Sequence, residues 1–129
     1  MTEEMITEPR GVLSIRTIAM PANTNANGDI FGGWLDCLMD MGAQIEGQRR
    51  ARSRVVTVAI DQIAFIKPVN VGDTVCCYAD LLKVGRTSMQ FNMEVWTLAL
   101  EQKDRKKVAA GIFTFVAIDE NGKPQPVDR

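Results

Sequence analysis

Asp40 stands at the end of the run AMPANTNANGDIFGGWLDCLMD, residues 19–40, where a loop rich in Asn, Gly and Asp leads straight into an apolar segment with helical spacing. An unpaired carboxylate among apolar neighbours costs several kcal/mol to take out of water, so a sequence that keeps one there has a use for it. The use open to such a group is proton transfer or nucleophilic attack. Asp36 lies four residues earlier, on about the same helical stripe, and is the natural internal control. The chain has no histidine, which removes Ser-His-Asp and Cys-His systems, imidazole bases and nearly every catalytic zinc arrangement together. That leaves Asp40 as the first candidate for chemistry.

A helix is predicted over residues 31–50, with Trp34, Leu35, Leu38, Met39, Met41, Gly42 and Ile45 covering most of its circumference. A helix apolar nearly all round belongs in a core. Asp29 just before it and Arg49 and Arg50 at its end suit the two poles of its dipole. Gly32 and Gly33 lie at the entrance, where helical N–H groups are unpaired and a missing side chain lets another group approach. After the helix the period changes to 2, and strands are predicted over residues 54–66, 74–84, 88–100 and 108–118, with a short first strand over 12–19. In the 88–100 strand Met89, Phe91, Met93 and Val95 alternate with Ser88, Gln90, Asn92 and Glu94, the pattern of a sheet with one wet face. Residues 68–73 and Gly85-Arg86 read as turns, and the charged stretch 101–107 as an exposed connection. The class is α+β, one long helix wrapped by an antiparallel sheet of five or six strands. Such a sheet has edges to cover, and pairing with a second copy covers them, so a homodimer at least is expected.

The 129 residues make one domain, with 1–11 and 119–129 as tails. With 15 basic against 16 acidic residues and no dense basic run, a nucleic-acid partner is not expected. No apolar stretch approaches the roughly 20 residues of a membrane span, so no membrane insertion is expected. The polar, acidic start is unlike a signal peptide, which makes the cytoplasm the expected compartment. Cys37, Cys76 and Cys77 read as buried reduced thiols, the adjacent pair pointing to opposite faces of a strand.

The segments RTIAMPANTNANGDIFGGWLDCLMD at 16–40, VVTVAIDQIAFIKPVNVGD at 55–73, KVGRTS at 83–88, MEVW at 93–96 and FTFVAIDENGKP at 113–124 resemble, in order and across nearly the whole chain, the hotdog-fold acyl-CoA thioesterases of the YciA and brain acyl-CoA hydrolase branch. The resemblance implies hydrolysis of acyl-CoA to a free acid and CoA without metal or organic cofactor. It also implies a site between two subunits, assembly as a homodimer or a homohexamer built as a trimer of dimers, and functional roles for Asp40 and Asn25. Asp40 would activate a water or attack the carbonyl itself, with no serine nucleophile. The Asn25 amide would orient that water or hold the carbonyl, although Asn25, Asn27 and Gly28 are also good turn residues. The Gly33 N–H is the candidate oxyanion donor. It lies seven residues from Asp40, about 10.5 Å along the axis, a gap that a second subunit closes more easily than one chain. CoA brings phosphates and adenine, for which Gly85, Arg86, Thr87 and Ser88 are the expected contacts, followed by Arg54, Thr57 and Lys67. Trp34 and Trp96 read as packing rather than as adenine platforms. The alternative function is a non-catalytic acyl-CoA-binding protein.

Overall fold

The computed structural model describes residues 8–98 and 104–129. Strand β1 (Val12–Ile18) leads through a 3-10 turn (Pro21–Asn23) to helix α1 (Gly32–Ala51), and then come β2 (Arg54–Phe65), β3 (Thr74–Val84), β4 (Ser88–Leu98) and β5 (Lys106–Ile118). The five strands form one antiparallel sheet in the order β1-β3-β4-β5-β2, so β1 and β2 are its edges. Residues 1–7 of the expected N-terminal tail, the last two residues expected of β4 and positions 101–103 of the expected connection lie outside the described residues.

Helix α1 packs against all five strands. Its buried positions Leu35, Leu38, Met39, Gly42, Ala43, Gly47 and Ala51 follow the three-and-four spacing of one helical face. Gly42 is a point of close approach: a Cβ there would lie 3.1 Å from Cys77 Sγ, and Ser14 Oγ donates to the Gly42 carbonyl at 2.7 Å. Beneath the helix, Met89, Phe91, Met93 and Val95 of β4 join Phe113 and Phe115 of β5 in the core. Phe91 and Phe115 meet edge to face, with centroids 6.4 Å apart and planes at 84°. Full burial of each such side chain contributes roughly 1.5–3 kcal/mol. The helix ends at Arg52, left-handed at φ 54°, whose N–H donates to the Gln48 carbonyl. Arg129 donates to the carbonyls of Ala51 and Arg52, covering acceptors that every helix end leaves open.

Four expectations change. Residues 119–129 are not a loose tail: Val127 is buried, its N–H donates to the Arg86 carbonyl, and Asp128 pairs with Arg50 at 2.7 Å. Cys37 is exposed, while Cys76 and Cys77 are buried on opposite faces as their adjacency in a strand requires. Burial pushes the Cys77 thiol up to about 12. The helix is not covered all round, for Met41 and Ile45 are 53% and 41% exposed. Finally, the outer face of the sheet is not uniformly wet. Glu94 is only 1% exposed there, and receives bonds from the Arg10 guanidinium and N–H, the Trp96 indole and the Asn92 amide, with Lys107 Nζ at 3.7 Å. Burial pushes its carboxyl up, but the bonds from Trp96 and Arg10 and the charge of Lys107 outweigh that and hold it below the ordinary glutamate value.

Candidate active site

Asp40 faces β2 from the middle of α1. It is half-buried rather than enclosed, and its Oδ1 accepts a 2.7 Å hydrogen bond from Thr57 Oγ1. The helix and β2 run in opposite directions across a short link, Arg52-Ser53, which brings position 57 back alongside position 40. Thr57, expected to touch CoA, is thereby occupied with the catalytic candidate. Asp36, one turn earlier, differs: its Oδ1 is shielded from solvent and has no hydrogen-bond partner among the described residues.

Asn25 is exposed, with its Oδ1 accepting from the N–H groups of Asn27 and Asp29 at 2.8 and 3.2 Å. This is turn chemistry, and it leaves the side-chain NH2 free for another partner. The loop is tied to the body through Phe31 N–H to the Asn23 carbonyl and Ile30 N–H to the Val69 carbonyl. Gly33 is the second residue of α1, where N–H groups have no carbonyl one turn back. Two phenyl rings frame this entrance. Phe65 lies 3.1 Å from where a Gly32 Cβ would stand and Phe31 3.1 Å from a Gly33 Cβ, and both rings are substantially exposed. The sequence reading missed Phe65, whose signal was its place at the far end of the strand that runs back along the helix.

The expected CoA contacts separate into two groups. At the end of the sheet where β2 and β4 begin, Arg54 pairs with Ile118 and Ser88 with Val116, so Arg54 and the turn at Gly85–Ser88 share one rim. The turn is held by Gly85 N–H to the Ser88 carbonyl at 2.8 Å and by Ala117 N–H to the Thr87 carbonyl, leaving the Arg86 side chain exposed. Arg54 donates to the Asp119 carbonyl at 2.8 Å. Lys67 lies beyond the other end of β2: its N–H reaches the Val108 carbonyl on β5 while Arg54 pairs with Ile118, and the β5 span between them sets a separation of roughly 30 Å at about 3.3 Å per residue. In one chain it cannot join the others on a single ligand.

Strand β2 itself is an unpaired edge with two bulges, at Thr57/Ala59 and Asp61/Ala64, and with Gln62 at φ 54°. Val56, Val58, Ile60, Phe65 and Ile66 are exposed along it. No group of three or more His, Cys, Asp or Glu among the described residues is placed to hold a metal. No described helix is long and apolar enough to cross a membrane.

One long helix laid on a five-stranded antiparallel sheet, with a carboxylate at its middle facing an open edge strand, defines a hotdog domain. Residues 27–102, more than half of the chain, match the thioesterase superfamily model. The chain is 50% identical over 125 residues to an uncharacterized acyl-CoA thioester hydrolase of Haemophilus influenzae, covering 95% of this chain and 81% of that one. It is 48% identical over 120 residues to the acyl-CoA thioester hydrolase YciA of Escherichia coli, covering 91% of each. Among solved structures it superposes with a TM-score of 0.90 on a hexameric broad specificity acyl-coenzyme A thioesterase in an aspartate-to-alanine mutant form, at 50% identity over 93% of this chain and 88% of that one. The hexameric thioesterase of Yersinia pestis gives 0.87 at 51% identity, over 92% and 97%. This chain belongs to the thioesterase superfamily.

Proposed function

We propose that the protein is an acyl-CoA thioester hydrolase, converting acyl-CoA and water to a carboxylic acid and CoA, with Asp40 as the group that starts the reaction. The observation that carries the reading is the Asp40 carboxylate, fixed at 2.7 Å by Thr57 on the helix face that looks toward an edge strand open on one side. Two routes use that geometry. As a general base, Asp40 takes a proton from a water that attacks the thioester carbonyl. As a nucleophile, it attacks directly, expels the CoA thiolate and leaves an acyl-aspartyl anhydride for water to open. Rapid acid quench and peptide mass analysis separates them, since only the second places the acyl group on Asp40. Either route draws on carboxylate, hydroxyl and backbone donors, without metal or organic cofactor.

The site is completed by a second copy. Two β2 edges pairing antiparallel about a two-fold axis set the Arg54–Thr57 end of one strand beside the far end of the other. That pairing brings a helix entrance with its Asn25, Gly33 and Lys67 to the Asp40 and Arg86 of the neighbouring chain. It also covers Val56, Val58 and Ile60. In this arrangement the Gly33 N–H holds the oxyanion, the free Asn25 amide orients water or carbonyl, and Gly85–Ser88 with Arg54 and Lys67 grips CoA. The dimers assemble further, as the hexameric relatives do.

Thiol release across acyl-CoAs of increasing length tests the reading. Turnover is expected in wild type and in Asp36→Ala, with a loss of about 10²–10⁴-fold in Asp40→Ala. Asn25→Asp keeps an acceptor for the turn but removes the amide NH2, so it should fold like wild type and lose activity as Asn25→Ala does. Binding of acyl-CoA without thiol release would favour the carrier reading. Undiminished turnover in Asp40→Ala would overturn the assignment.

A further inference from the structure

On the face of the sheet turned away from α1, a pocket of about 290 Å³ opens between β1 and the start of β5. Its floor is the cluster Cys76, Tyr78 and Trp96, packed separately from the main core. Arg16 and Arg105 flank it. Register explains the convergence. Arg16 pairs with Cys76 and Cys76 with Trp96, so three strands present these side chains on one face.

Among the described residues no carboxylate lines the pocket and neither arginine is paired with one: Arg16 Nε donates to Cys76 Sγ at 3.4 Å and Arg105 Nη1 to Tyr78 Oη at 3.2 Å. The nearest buried acid, Glu94, is already saturated by Arg10, Asn92, Trp96 and Lys107. Its bond to the Trp96 indole also locks the ring that forms the floor, so the pocket is preformed. Two planar guanidiniums, five donors each, converge from opposite sides on an aromatic floor with the Thr74 hydroxyl at the rim. Two guanidiniums can between them engage the three oxygens of a phosphoryl group, each in the bidentate manner that arginine uses for such anions. The volume sits just under the roughly 300–1,000 Å³ of whole-ligand sites, room for a phosphorylated fragment and not for an entire CoA.

We infer that Arg16 and Arg105 form an oxyanion site for the phosphoryl group of a nucleotide, separate from the Asp40 site and on the opposite face of the sheet. Its ligand has two possible sources with the same chemistry: a free nucleotide, or the adenosine phosphate end of a CoA held by a neighbouring protomer. The free-nucleotide source stands on this geometry alone, and the CoA source rests on the hydrolase reading.

Calorimetric titration of the intact assembly with inorganic phosphate, ADP and adenosine 3-phosphate 5-phosphate tests it. Wild type should bind, Arg16→Gln and Arg105→Gln should each weaken binding by about tenfold or more, and Arg105→Lys should retain part of it. Thermal melts of each variant confirm that it is folded. A CoA source predicts that Arg105→Gln raises KM for acyl-CoA while leaving the kinetics of acyl-pantetheine, which lacks the nucleotide, unchanged. A free-nucleotide source predicts lost ADP binding with KM for acyl-CoA unchanged. The inference is overturned if wild type binds none of the three at millimolar concentration, or if both glutamine variants bind as wild type does. It is equally overturned if those variants break up the assembly while wild type shows no binding, which would make the pocket a subunit contact.

Discussion

Removing the Thr57 hydroxyl tests whether Asp40 works as a held carboxylate. Thr57→Val keeps the branched shape and deletes only the oxygen that donates to Asp40 Oδ1 at 2.7 Å. A hydrogen bond to a charged group contributes about 1.5–3 kcal/mol. If the bond orients Asp40 for the reacting water or carbonyl, that energy is expressed in the barrier. At about 1.4 kcal/mol per tenfold, kcat should fall roughly 10- to 150-fold. KM should stay within about threefold, because Thr57 acts through Asp40 and does not grip the ligand. Thr57→Ser restores the hydroxyl and should recover most of the loss. The assay is steady-state thiol release at saturating acyl-CoA, with melts to confirm folding. Wild-type kcat in a folded Thr57→Val would refute the positioning role. A KM effect without a kcat effect would return Thr57 to the CoA contacts expected from sequence.

Glu94→Ala strips the outer face of its central acceptor and leaves Arg10, Asn92, Trp96 and Lys107 without it, so urea titration should show a loss of about 2–4 kcal/mol. Because the folded protein holds the Glu94 carboxyl below its ordinary value, its contribution is present above the unfolded value and lost as pH falls through the folded one. The stability gap between wild type and Glu94→Gln should therefore narrow on acidification through that range, and a gap that widens would contradict the network. Gly47→Ala places a Cβ 3.5 Å from Val55 Cγ2, an ordinary contact, and should stabilise by about 0.5–1 kcal/mol through helix propensity. Gly42→Ala puts the same methyl 3.1 Å from Cys77 Sγ, and its melting point should fall below that of Gly47→Ala.

What could be read from the sequence was what local pattern encodes. Alternation in residues 88–95 marks the core face of β4, the change of period after the helix marks the strands, and the cost of an acid in an apolar run marks Asp40. What escaped depends on residues far apart in the chain. Glu94 fitted the polar half of the alternation, and the partners that hold it as a buried acid include Arg10, 84 positions away, which no local pattern shows. Thr57 was read as a ligand contact because nothing local shows that its hydroxyl meets a helix residue 17 positions earlier. Lys67 is a candidate on or beside the same strand as Arg54 and Thr57, and the extended strand carries it to the opposite end of the sheet from them. The Arg16–Arg105 convergence has no local signature, since β1 and β5 are brought to one pocket only through β3 and β4.

The two-subunit proposal draws together oddities that a single chain leaves standing. An orphaned, shielded oxygen such as Asp36 Oδ1 costs about 1–3 kcal/mol, and α1 carries it one turn from the proposed catalytic acid. Met41 and Ile45 lie exposed on that helix, and Val56, Val58 and Ile60 on the edge strand beside it. The bulges of β2 at Thr57/Ala59 and Asp61/Ala64 tilt this edge away from indiscriminate strand pairing, a protection that a geometrically specific partner satisfies and a random one does not. In the proposed dimer a second copy is such a partner, because two-fold pairing about the middle of β2 sets the Thr57/Ala59 bulge of one strand near the Asp61/Ala64 bulge of the other. On the two-subunit proposal, the surface that a single chain exposes at a cost in stability is the surface on which both active sites would be built, and the carboxylate at its centre would be dry enough for its charge to act on a thioester carbonyl.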